Sequence, residues 1–326
     1  MKLFRTTLPA RIALLVVLVL AASHFIGGGT ASAAPTPVGL GTATDFAIRA
    51  GDGISNTPTS AITGDVGLSP GPGTAYTGLT CAEVTGTVYK VDATGLPCAV
   101  EDPGLMTTVS ADARTAFNTT SALPGATPLA TDLAGENLVA GLYSFGAAAT
   151  NLSGPLTLNA AGDPSSVWIF QASSSLITSP GSTISFSNLP PGTTAAQLAC
   201  NVYWTVGSSA TLDTTTNFIG TILASASITV NNGATVTGRL LAANQPSGAG
   251  AVTLIADTIV RPTGCTTSPA GTGGTPAAPA SPTDTPTTPG TPTGPGSPGT
   301  PGGPPADATP PATPATPVGS PPTFTG

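Results

Sequence analysis

The chain has 326 residues, with 8 Lys or Arg, 15 Asp or Glu and 1 His, a formal net charge of −7. Nucleic acid is excluded as a partner, because binding it requires phosphates to be neutralised by Lys and Arg. Mature-chain catalysis through histidine is excluded if the N-terminus is removed, since the one histidine is His24.

The first element reads as a secretory leader. Lys2, Arg5 and Arg11 precede the apolar run Ile12 to Ala22, and Ala31-Ser32-Ala33 supplies a small-residue cleavage site. The run is shorter than the roughly 20 residues that span a bilayer. We expect residues 1–33 to be cleaved, a mature chain that is secreted and extracellular, and no later membrane span. Cleavage would remove three cations and no acid, taking the net charge from −7 to −10 and leaving Arg49, Lys90, Arg114, Arg239 and Arg261.

Residues 34–265 are expected to form one domain, long enough for a substantial core. Near its start, "GDGIS" (51–55) lacks the pattern of a phosphate-binding loop and reads as a turn. The domain holds four cysteines, Cys81, Cys98, Cys200 and Cys265. Outside the cell an even count favours disulfides. Of the three pairings, Cys81–Cys98 closes a short loop and Cys200–Cys265 ties the last strands to the middle of the domain; these are expected. A zinc site is the competing reading, and the chain offers it neither a C-x-x-C spacing nor a mature histidine.

Asp102 to Leu123 reads as the one long helix. Leu105, Met106, Val109, Ala113, Ala116 and Phe117 recur at three- and four-residue spacing, Pro103 suits a first turn, and Pro124 ends the pattern.

Beyond it the chain reads as short strands. "GLYSF" (141–145), "VWIFQ" (167–171), "VYWTV" (202–206), "IGTIL" (219–223) and "GRLLA" (238–242) are bulky. Each is followed by a second strand, such as "ATL" (210–212) or "SITV" (227–230), and most by a third, such as "TISF" (183–186) or "TIV" (258–260). Gly220 to Gly238 is a step of 18 residues. Three strands per such step suit one coil of a three-sided β-solenoid, with longer loops inserted in earlier coils. Period-two alternation then turns Ala210, Leu212, Ile228, Val230, Val252 and Leu254 inward. Ser209, Thr211, Asp213, Ser227, Thr229, Asn231 and Thr253 turn outward. From Thr266 to Gly326 the composition of Pro, Thr, Gly, Ala and Ser cannot build a core, and residues 266–326 are expected to be a disordered tail. Such a tail suits a plain spacer, or contact with a cell wall or glycan.

A polysaccharide lyase or hydrolase on this scaffold would need paired carboxylates or a positioned base. Asp163, Asp213 and Asp257 are scattered among different coils and read as turn and surface aspartates. Trp168 and Trp204 lie in bulky strands and read as core. We expect no enzyme, no metal and no cofactor.

Five stretches carry a family resemblance: "VGLGTATDFAIRAGDGISNTPTSAITGDVGLSPGPGTAYTGL" (38–79), "AGLYSF" (140–145), "DPSSVWIFQ" (163–171), "NVYWTVGSSATL" (201–212) and "GRLLA" (238–242). Their order resembles the microbial ice-binding proteins. The resemblance implies a mainly β fold, a right-handed, discontinuous, three-sided solenoid with the long helix alongside. N-terminal strands would complete coils begun by C-terminal ones. It also implies adsorption to ice and inhibition of ice growth and recrystallisation. The family's T-A/G-x-T/N pattern is matched by Thr74-Ala75-Tyr76-Thr77 and Thr77-Gly78-Leu79-Thr80; a third match, Thr115 to Asn118, falls in the expected helix. The candidate ice-contacting residues are therefore Thr74, Thr77, Thr80, Ser209, Thr211, Ser227, Thr229 and Thr253. The alternative function is a cell-surface or matrix adhesion module that uses the same solenoid.

Overall fold

Strands that turn aliphatic residues one way and hydroxyls the other bury their apolar side by stacking coil upon coil. The structure, a computed structural model that describes residues 35–265, is built this way throughout. The expected leader (1–33) and tail (266–326) lie outside the described residues. Strands pair in parallel into a sixteen-stranded and a seven-stranded sheet.

The 18-residue step is the coil repeat: Trp204 pairs with Ile222 and Ile222 with Leu240. Inward residues stack along the axis. Phe170 lies on Trp204 with ring centroids 4.0 Å apart, and Tyr143 and Phe218 continue the column on either side. Both tryptophans are buried, as expected.

The short third strands expected at "NF" (217–218) and "ATV" (234–236) merge with the bulky strands that follow them, giving Asn217–Ala224 and Thr235–Leu241. Each runs through a corner, so two of the three sides share one sheet. Gly220 and Gly238 pair at that corner. A Cβ on Gly238 would stand 1.8 Å from the Gly220 carbonyl oxygen, so glycine is what lets the coils close on each other there.

The chain is discontinuous in space. Phe46–Ala50 pairs with Thr235–Leu241 through Ile48 and Leu240; Gly53–Thr57 pairs with Ala251–Ile255, and Ala61–Thr63 with Thr258–Val260. The N-terminal coils therefore continue the stack where the C-terminal ones stop. Gly53–Thr57 belongs to this seam, so only the first residues of "GDGIS" are a turn; its second half is a strand.

The helix spans Pro103–Ser121. The Asp102 carboxylate caps it, accepting from the Leu105 amide at 2.8 Å. Met106, Val109, Ala113 and Ala116 pack on Phe46, Ile169, Tyr203, Leu223 and Leu241. At the other end Gln171 Nε2 donates to the carbonyls of Thr120 and Leu123, which satisfies groups that every helix terminus leaves open. The cysteines are bonded as Cys81–Cys98 and Cys200–Cys265. No helix among the described residues is long and apolar enough to cross a membrane.

Candidate functional site

The helix covers one side of the solenoid, and the seven-stranded sheet forms another. Its strands lie in the order Thr150–Leu152, Leu176–Thr178, Ala210–Leu212, Ile228–Val230, Ala251–Ile255, Gly53–Thr57 and Tyr76–Thr77. Inward go aliphatic residues such as Leu176, Ile228, Val252 and Ile54. Outward, the register places one residue of each strand beside the next: Asn151, Ile177, Thr211, Thr229, Thr253, Ser55 and Thr77. This row crosses the seam, where Ser55 Oγ donates to Thr253 Oγ1 at 3.2 Å although the two residues are 198 apart in sequence.

Four of the eight candidates, Thr77, Thr211, Thr229 and Thr253, stand in this row. Ser209 and Ser227 sit two residues earlier on their coils, beside it; the Ser227 hydroxyl accepts from the Ala251 amide at 3.0 Å. Thr74 and Thr80 do not join the row. Thr74 lies in the helical turn Gly73–Ala75. Thr80 precedes the turn Cys81–Glu83 and gives its hydroxyl to Glu83 Oε2 at 2.9 Å. Sequence reasoning missed Ser55, Asn151 and Ile177. Alternation alone could have found Asn151 and Ile177, whereas Ser55 was hidden by reading its segment as a turn.

No member of the row is charged. The nearest carboxylate along the central strands is Asp213, two residues past Thr211, which accepts from Asn231 Nδ2 at 3.2 Å and from the Thr214 amide at 2.7 Å. Asp257 corrects the expectation of surface aspartates. It is buried at a corner, accepting from the Ala234 and Ile255 amides at 3.0 and 2.7 Å. Burial pushes its carboxyl up to about 6, against the pull of those amides. Nearby, Glu83 is buried and accepts from Asn56 Nδ2, the Ser60 and Thr80 amides and the Thr80 hydroxyl. Burial works upward on it too, but these hydrogen bonds prevail and hold it below the ordinary glutamate value. Ser60 Oγ, which donates to Asn56 Oδ1 and accepts from the Asp257 amide, joins the two across the seam.

The third side shows a second set of short polar residues, Thr183, Asn217, Thr235 and Thr258, in register. The parallel outward row there is broken by the half-buried Ile219 and Val260, and two of its strands, Asn217–Ala224 and Thr235–Leu241, bend into the helix-covered side.

Comparison with known proteins agrees with this architecture. The family described as ice-binding-like matches residues 48–260. An ice-binding protein of Colwellia sp is 35% identical over 252 residues, covering 76% of this chain and 93% of that protein. One of Flavobacterium frigoris (strain PS1) is 35% identical over 228 residues, covering 69% of this chain and 76% of that protein. The crystal structure of an ice-binding protein from an Antarctic biological consortium superposes with a TM-score of 0.60 at 35% identity, covering 70% of this chain and 93% of that one. That of Antarctomyces psychrotrophicus gives a TM-score of 0.57 at 34% identity, covering 70% and 99%. These relatives are ice-binding proteins rather than enzymes, and this chain belongs to the ice-binding-like family.

Proposed function

We propose that this protein is secreted and adsorbs to ice through the seven-stranded sheet, inhibiting ice growth and recrystallisation. The observation that carries the reading is the uncharged row from Asn151 to Thr77, short and polar at every position but Ile177 and continuous across the seam. Parallel strands are spaced by about 4.7–4.9 Å, so seven of them set out a row of about 28 Å. Such spacing is close to a repeat of the ice lattice. Threonine offers a methyl and a hydroxyl on a stiff χ1, so adsorption costs little side-chain entropy. Charged side chains hold water in their own order and would oppose the lattice; the row has none.

The test is ice-affinity partitioning of the mature protein. An ice binder enters a slowly growing ice hemisphere, whereas an adhesion module of the same fold stays in the liquid. Exclusion of the parent protein from the ice would overturn the reading.

A further inference from the structure

The five cations of the expected mature chain are used unevenly. Arg261 pairs with Asp45 at 3.5 Å, Lys90 donates to the Thr94 and Leu96 carbonyls, and Arg239 donates to the Thr44 carbonyl. Arg49 and Arg114 differ: the charge acting on Arg49 is that of Arg114 with no carboxylate beside it, whereas Arg239 has Arg261 and Asp45 together as neighbours. Arg49 rises from Phe46–Ala50 towards the helix and is 1% exposed. Its Nη1 donates to the carbonyls of Ala242 and Ala243 at 2.6 and 2.9 Å, and its Nη2 to that of Ser69 at 3.2 Å. Those bonds leave its buried Nε without an acceptor. Arg114, one helical turn beyond Ser110, also has a buried Nε without an acceptor, and it makes no ion pair among the described residues. Burial, and then the charge of Arg114, lower the Arg49 guanidinium to about 10.

Both arginines line a cleft of about 300 Å³ between the helix and the coil corner, together with Ser110, Thr107, Ser247 and Gly248. A buried guanidinium that shares a cleft with a second one, with no carboxylate lining it, is an unfavourable arrangement unless something negative completes it. Arg114, half-buried, can turn the parallel N–H donors of a guanidinium to the edge of a tetrahedral oxyanion, while Arg49, whose Nη1 and Nη2 already donate to carbonyls, adds its charge from beneath.

We propose that this cleft binds a small tetrahedral oxyanion, phosphate or sulfate, between Arg49 and Arg114. The anion would join three parts of the chain. Arg114 brings the helix, while Arg49 is already tied to the last C-terminal coil at Ala242 and Ala243 and to the N-terminal coil at Ser69. Occupancy therefore stabilises the docked helix and the seam by mass action. No residue of the uncharged row lines the cleft, so the anion acts on stability and not on the exposed sheet.

The test uses the full secreted protein in a phosphate-free chloride buffer, with inorganic phosphate titrated at constant ionic strength. The expected result is a saturable broadening of the ³¹P resonance and a saturable rise in Tm, both competed by sulfate. Arg114→Gln should weaken phosphate binding by roughly tenfold or more, equivalent to about 1.4 kcal/mol. Without phosphate the same variant should be at least as stable as the parent, because a like charge has gone. Arg114→Lys, which keeps the charge and loses the fork, should fall between them in affinity. An unperturbed ³¹P line with the parent would overturn the proposal. So would a linear, equal Tm rise in parent and Arg114→Gln, which is the signature of general salt exclusion.

Discussion

Thr211 and Thr229 are register partners on adjacent coils, 18 residues apart in the chain and neighbours on one exposed sheet. Both side chains face away from a core built by Ala210, Leu212, Ile228 and Val230. A protruding side chain at either position should therefore lift the sheet from a crystal without loosening the fold. Thr211→Tyr and Thr229→Tyr are expected to abolish recrystallisation inhibition while unfolding free energy stays within about 0.5 kcal/mol of the parent. A splat assay paired with thermal denaturation decides it. Inhibition at the parental level in folded variants would point to the third side, with Thr183, Thr235 and Thr258.

The two disulfides should differ in worth. Cys200–Cys265 spans 65 residues and Cys81–Cys98 spans 17. In the chain-entropy view the longer loop contributes about 4 kcal/mol and the shorter about 3. Replacing each pair by serines and measuring guanidinium unfolding should give that order.

Acid should act on the corner network in two opposed steps. Asp257 has a folded pKa of about 6, above its ordinary 3.8. Its protonated form favours the fold, so its contribution is full below about 3.8 and is lost as pH rises through 6. Glu83 has the opposite sign. Its folded pKa lies below the ordinary 4.5, so its contribution is full above 4.5 and is lost as pH falls through the lowered value. Tm should rise gently from pH 7 to pH 5 and fall at lower pH. Asp257→Asn should flatten the rise whatever it does to absolute stability. Glu83→Ala, which orphans the Ser60 and Thr80 amides, should cost about 3 kcal/mol at neutral pH. A Tm that falls monotonically from pH 7 would contradict the Asp257 assignment.

At the corner, Gly238→Ala should be among the most damaging single changes. The added Cβ meets a backbone oxygen 1.8 Å away, and backbone cannot swing aside as a side chain would. A loss above about 3 kcal/mol is expected, at the top of the usual overpacking range. The same substitution at Gly135 meets nothing within 4 Å, but its φ of +82° strains alanine, so it should cost less.

The helix was legible because its apolar residues repeat locally, and the C-terminal coils because each strand's alternation is visible in itself. The N-terminal coils were harder to read. Their strands are two to five residues long, interrupted by glycine and proline, and their partners lie far along the chain. What marks Ser55 as an outward residue is Thr253, and nothing near Ser55 in sequence says so. Asp257 was misread for a related reason. Its polarity suggested solvent, but the amides that justify burying it come from Ala234, just ahead of Thr235–Leu241, as well as from Ile255 nearby. The row of short polar residues was half visible from alternation; its continuity was not, because register between coils is a property of the stack.

The join between Ser55 and Thr253 also imposes an order in time. Synthesis delivers Gly53–Thr57 early and Ala251–Ile255 some 198 residues later, so the early strand has no neighbour on that side until nearly the whole domain exists. Contacts this distant along the chain make for slow assembly. A chain halted before residue 251 would hold four strands of the exposed sheet in one group and two in another, with no bridge between them. The full row is thus available only to a completed molecule, and a nascent or truncated one carries two short fragments of it.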